Sequence, residues 1–190
     1  MRNSMYLWPL LAAVVFSSVF FTSCKKGEND PGLSFRSRDA RLVGEWQLKS
    51  VSSTATYNVF TSSAVSSTTI VTDTYDGTLW VDAVDGVTNN SDSYSLSLNI
   101  EKTGKISCVE VDNGRTREGT SDWYWLDSKK NKTEVYVGLT NTKHFDRGIY
   151  NLDRLSNKEI VFTYSFYDKD IDAGNGDETI IEETWTFEAI

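Results

Sequence analysis

The sequence predicts an antiparallel all-β domain, closed as an up-and-down barrel of about 8–10 strands or folded over as a β-sandwich, on three observations. The block Tyr94–Glu101 alternates without exception, with Tyr94, Leu96, Leu98 and Ile100 on one face and Ser95, Ser97, Asn99 and Glu101 on the other. Tight-turn pairs recur between such runs, at Asp76-Gly77, Thr103-Gly104, Asn113-Gly114 and Ser156-Asn157. Only 2 Pro stand against 6 Trp, 9 Tyr and 9 Phe, a composition that fits pleated, half-buried strands. Sequential hairpins with one apolar face form a meander, which loses its edges by closing on itself or folding over.

Each element has its own justification. Arg36 to Val43 is long enough for one helical turn. Gly44 opens the first strand, in which Trp46 and Leu48 share one face while Glu45, Gln47 and Lys49 share the other. Ser50 to Thr74 is rich in Ser and Thr with scattered apolar residues, so its first half reads as loop or edge and Ile70–Tyr75 as a strand. Asp76-Gly77 turns the chain into Thr78–Val84, and Asp85–Asp92 reads as a loop. After the Tyr94 block come strands over Lys105–Val111, Thr116–Leu126 and Thr133–Leu139. A loop containing His144 leads to Gly148–Asp153. Ile160, Phe162, Tyr164 and Phe166 then line one face of a strand, Asp168–Glu178 forms an acidic loop, and the last strand carries Ile181, Trp185 and Phe187 in phase.

The first 23 residues have a different character. A single cation, Arg2, precedes an apolar run from Tyr6 to Phe21, and Thr22-Ser23 supply small side chains before Cys24. That run is short for a membrane-spanning helix, which needs about 20 residues. The pattern resembles a bacterial lipoprotein signal, although Phe21 stands where that family usually has an aliphatic residue; an ordinary secretory signal is the alternative. The resemblance implies that Cys24 is acylated as the first mature residue and ties the protein to the membrane. Residues 24–40, without apolar periodicity and containing Gly27, Pro31 and Gly32, read as a flexible tether to a domain over 41–190. Lys25 after Cys24 is not the aspartate of inner-membrane retention, so the resemblance implies outer-membrane delivery, with the domain on the periplasmic or cell-surface side.

Losing the leader's one cation takes the formal net charge from −8 to −9. Such a domain repels nucleic acid, since phosphate binding needs clustered cations. With Cys24 lipidated, Cys108 is the only remaining thiol, and no intramolecular disulfide forms.

Leu42-Val43-Gly44-Glu45-Trp46-Gln47-Leu48 resembles the Gly-x-Trp opening strand of lipocalins, and Trp123–Leu126 with Tyr150–Phe162 resembles the lipocalin-like domain of Bacteroides-type lipoproteins. The resemblance loosely covers Arg41 to Ile190. It implies an up-and-down barrel with the Trp plugging its closed end and room for a small apolar ligand. The long Ser/Thr-rich segment after the first strand departs from the family's pattern.

Few residues carry recognisable chemistry. His144, the only histidine, has Asp146 nearby, but there is no G-x-S-x-G elbow, and it reads as a solvated loop residue rather than part of a triad. Cys108 and His144 are too few soft ligands for zinc. Asp168, Asp170, Asp172, Asp177 and Glu178 crowd together, yet an EF-hand spacing would need Gly at Ala173 and Glu at Thr179. No catalytic residue, metal or cofactor is therefore assigned. Trp123 and Trp125 share one strand face: inward they line the barrel, outward they form a sugar-stacking platform. The inward arrangement predicts a small residual pocket lined by Trp125 and Tyr164, with Trp123 beside them. Two functions stand, a lipid-anchored carrier of a small apolar ligand, or a surface binding and assembly module for glycan or protein with no internal ligand. For the anchor, Cys24→Ser is expected to release the protein as a soluble or unprocessed form, read by membrane fractionation and intact mass. Unchanged membrane retention and mature mass would exclude lipidation.

Overall fold

The computed structural model describes residues 36–126, 132–145, 147–172 and 174–190. Cys24, the expected tether up to Phe35 and residues 127–131 lie outside the described residues. A short helix, α1 (Arg38–Leu42), precedes β1 (Gly44–Thr61), β2 (Ala64–Tyr75), β3 (Leu79–Val84), β4 (Val87–Ile100) and β5 (Lys105–Asp112). The chain continues through β6 (Arg115–Trp125), β7 (Glu134–Val137), β8 (Gly148–Leu155), β9 (Glu159–Asp172) and β10 (Asn175–Ala189). Each strand pairs antiparallel with the next, and β10 returns to β1, giving a closed ten-stranded up-and-down barrel. The sandwich alternative falls.

The barrel is not uniform along its axis. Over Gly44–Gln47, β1 pairs directly with β4, so the helix end is ringed by eight strands. From Val51 onward β1 pairs instead with β2, and the β2–β3 hairpin is inserted between β1 and β4. The exchange happens at a bulge: Leu48 opposes Phe187 and Ser50 opposes Thr186, leaving Lys49 over. An extra residue bends and twists its strand, and here it restores Val51 to the inward face that Leu48 occupies. The opposite end, the mouth, is therefore wider than the helix end.

At the helix end, the Ser37 hydroxyl caps α1 by accepting the Ala40 N–H at 3.2 Å. The Trp46 indole N–H donates to the Leu42 carbonyl at 2.9 Å, and Arg41 donates to the Leu155 carbonyl. Trp46 is thus buried beneath α1.

Three sequence expectations change. Ser50–Thr61 is strand, not loop: β1 runs on to a two-residue turn at Ser62-Ser63, with φ of 54° and 66°, and returns as β2. Thr-rich chain suits a strand, but this hairpin projects past the barrel, where no buried face imposes an alternation. Asp85–Asp92 is also not a loop. Asp85-Gly86 has φ of 51° and 79°, a type I′ pattern, and β4 begins at Val87. At Asp76-Gly77 only Gly77 has positive φ, and the Asp76 carboxylate makes the turn by accepting the Thr78 and Leu79 N–H groups. Asp168–Asp172 and Asn175–Glu178, read as an acidic loop, are the facing ends of β9 and β10.

Trp46→Phe keeps an aromatic ring but removes the donor to Leu42. It is expected to cost about 1–3 kcal/mol in denaturant-melt stability, from the orphaned carbonyl and the small void.

Candidate functional site

Register alone stacks the inward side chains of β3, β2, β1, β10 and β9 in rungs. The innermost is aromatic: Trp80, Tyr75, Val51, Trp185 and Phe162. The next toward the mouth is acidic: Asp82, Asp73, Ser53, Glu183 and Tyr164. Above it lies an apolar rung of Val84, Val71, Ala55, Ile181 and Phe166, and here the wall rises past the barrel as a four-stranded apron. Phe166 is already 41% exposed, and Tyr57 and Val59 are exposed further out.

Among the described residues, no cation is paired with the acidic rung. Asp73 and Asp82 face each other as a register pair and share a hydrogen bond. Burial, that bond and the charges of Asp82 and Glu183 push the Asp73 carboxyl up to about 6. Burial also raises Glu183, against the opposing effect of the Trp185 indole N–H, which donates to it at 2.9 Å. Trp80 donates its indole N–H to Asp82.

The opposite wall carries a compensated network. Glu110 is fully buried, yet its carboxylate accepts the Tyr94 hydroxyl at 2.8 Å, Arg117 Nη1 at 2.9 Å and the Lys143 backbone N–H at 2.9 and 3.0 Å. Asp112 lies beside it, 3.4 Å from both Arg117 Nη1 and Lys143 Nζ. A buried carboxylate with this many donors and a guanidinium partner is well satisfied. Burial and the Glu110 charge drive the Tyr94 hydroxyl well above the usual tyrosine range.

Between these walls the β7–β8 segment folds into the lumen. Phe145 has 0% exposure and stacks on Tyr150 (ring centroids 5.0 Å, 21°). It also meets Trp185 edge-on at 5.1 Å and lies 5.5 Å from Phe187 and 5.9 Å from Phe162. His144 is stacked on Trp80 at 3.8 Å and 18° with its Nε2 buried and unpartnered. The expectation of a solvated loop histidine is therefore corrected. Burial, followed by the Lys143 charge, lowers the imidazole to about 4, so it is neutral at physiological pH. Asp146 lies outside the described residues, and His144 Nε2 meets no nucleophile.

The sequence-predicted ligand residues occupy separate settings. Trp123 points inward, 8% exposed, and donates to the Glu101 carbonyl at 2.9 Å. Trp125 meets it edge-on at 5.9 Å, donates to Asp39 of α1 at 2.6 Å and carries Lys132 Nζ 5.7 Å above its ring. Both belong to the helix end. Tyr164 packs against the core on the acidic rung, 5.9 Å from Tyr150, with β7 and β8 between it and Trp125. The outward aromatic pair on this wall is Tyr124 with Tyr136, stacked at 4.8 Å.

Asp73, Asp82, Glu110, Asp112 and Glu183 were legible only as acids falling in the apolar phase of their strands: Glu110 with Ile106 and Cys108, Glu183 with Ile181 and Trp185. Phe145 left no such signal, because it sits in no strand. Cys108 is buried and free, its thiol raised by burial. Among the described residues, no group of three or more His, Cys, Asp or Glu side chains is placed to hold a metal ion. None of their helices is long and apolar enough to cross a membrane. Comparison with protein-family models, curated proteins and solved structures finds no match to this chain.

The acidic rung gives a pH prediction with a definite sign. A carboxyl raised from 3.8 to about 6 in the fold binds its proton more tightly there than in the unfolded chain, so its stabilising contribution is lost as pH rises from 3.8 through 6. Asp73→Asn is expected to raise stability by about 1–2 kcal/mol at pH 7.5, after allowing for solvent screening of a half-buried site. The gain should vanish below pH 4, and thermal melts at the two pH values check it.

Proposed function

We propose that this protein is a lipid-anchored cell-envelope lipoprotein whose lipocalin-like barrel acts as a surface binding module, without an internal ligand and without enzymatic activity. The anchor and the outer-membrane placement rest on the leader and Cys24. The preference for a module over a carrier rests on one observation: Phe145, from the chain's own β7–β8 segment, stands among Tyr150, Phe162, Trp185 and Phe187, where a carrier would hold its ligand.

The binding face in this reading is the inner side of the apron. Its apolar rung ends in Phe166, and carboxylates lie on both sides of that rung: Asp73, Asp82 and Glu183 below, Asp168, Asp170 and Asp177 above. Lys169, the one cation of the projecting strands, alternates to the other face and lies 3.7 Å from Glu178. A protein segment presenting basic and apolar side chains together suits this face better than an uncharged glycan, because opposite potentials steer encounter and apolar contact holds it.

Titration of delipidated protein with fatty acids, retinoid-like probes and haem is expected to give no saturable change in tryptophan emission or melting temperature. A photo-cross-linking residue at Phe166 should give discrete protein adducts in intact cells, and one at Tyr124 on the outer wall should not. A saturable apolar ligand, lost in Trp125→Ala, would restore the carrier reading.

A further inference from the structure

The β7–β8 segment is held by two unlike attachments. One is polar and deep: the Lys143 backbone N–H rests on the buried Glu110 carboxylate, which Tyr94 and Arg117 fix in place. The other is aromatic: His144 lies flat on Trp80, with Tyr94 edge-on to it at 5.3 Å. Thr142 donates to the Phe145 carbonyl, and Asn141 donates to the Glu118 carbonyl at 2.7 Å. This arrangement buries an imidazole nitrogen with no partner, and only the neutral ring tolerates that seat.

We propose that Thr140–Phe145 is an acid-released strap: protonation of His144 drives it off Trp80, withdraws Phe145 and uncovers the aromatic interior of the barrel. This goes beyond the binding-module reading and stands independently of it.

The charged groups facing His144 are Asp82 on β3, Glu110 and Asp112 on β5, and Lys143 on the strap itself. The three carboxylates favour the imidazolium, while burial and Lys143 disfavour it and prevail, holding the seated ring near 4 against 6.5 for a free one. The closed strap thus binds fewer protons than the open one between those values, so its stability is full above pH 6.5 and falls toward pH 4. At pH 5 the opening constant should be about 20-fold larger than at pH 7. Asp73 titrates in the same window with the opposite sign, and it faces Asp82 rather than the strap.

The test is hydrogen exchange on the full chain at pH 7 and pH 5, corrected for the intrinsic pH dependence of exchange. The expected result is an opening of residues 140–145 about 20-fold more frequent at pH 5, with β5 and β10 unchanged. His144→Phe, which keeps the stack but cannot titrate, should abolish the difference, and Asp73→Asn should preserve it. As the only histidine, His144 can also be followed by imidazole NMR in the unaltered protein, where a midpoint near 4 is expected; this decides the matter should His144→Phe fail to fold. A midpoint near 6.5, equal acid sensitivity in His144→Phe, or loss of protection in β5 and β10 in step with the strap would each overturn the proposal.

Discussion

β1 changes partner at Lys49, and most of what distinguishes this barrel follows from that exchange. Below the bulge β1 is zipped to β4 and the ring holds eight strands. Above it the β2–β3 hairpin is wedged in and the ring holds ten. Barrel diameter grows with strand number, so the interior flares toward the mouth. Trp46, Leu98, Ile100, Ile106 and Phe187 close the narrow end. The wide end needs more filling than its strands provide, and His144 and Phe145 of the β7–β8 segment supply it, packed on Trp80 and Trp185.

The flare also accounts for the polar mouth. Inward positions near a rim lie close to water, so a carboxylate there keeps part of its hydration while still facing the lumen. Two walls resolve this differently. On β4–β6, Glu110 is driven fully inside and held by a guanidinium, a phenol and a main-chain amide. On β2, β3 and β10, Asp73, Asp82 and Glu183 face one another with only the indole N–H groups of Trp80 and Trp185 as donors, and Asp73 is raised to about 6. The first wall fixes the strap, and the second leaves uncompensated negative charge beneath the apron.

Much of the fold was legible because a half-buried strand writes its burial into a period of two. Tyr94–Ile100, Ile160–Tyr164 and Trp185–Phe187 all turned inward as their alternation required. The signal failed where strands left the barrel. Thr56–Thr61 and Ala64–Thr69 have no buried neighbour face to enforce alternation, so a regular hairpin read as loop or edge. It also left charges unmarked: Asp73, Glu110 and Glu183 obey the same phase as their apolar neighbours, and alternation alone does not say that a carboxylate is buried.

The sequence by itself determined that the chain is an antiparallel meander with tight turns, and which faces of its regular strands turn inward, those of Trp46 and Leu48 first. These follow from side-chain alternation and turn chemistry, both local along the chain. Only the tertiary structure decided that the ring holds eight strands at one end and ten at the other, because a partner exchange at one bulge is a relation between β1, β2 and β4. It alone brought Asp73, Asp82 and Glu183, scattered over 111 positions of sequence, onto one rung. And it alone placed Phe145 at the barrel's centre, since a residue outside any strand has no period to reveal it and is buried only because the surrounding strands leave space of its size.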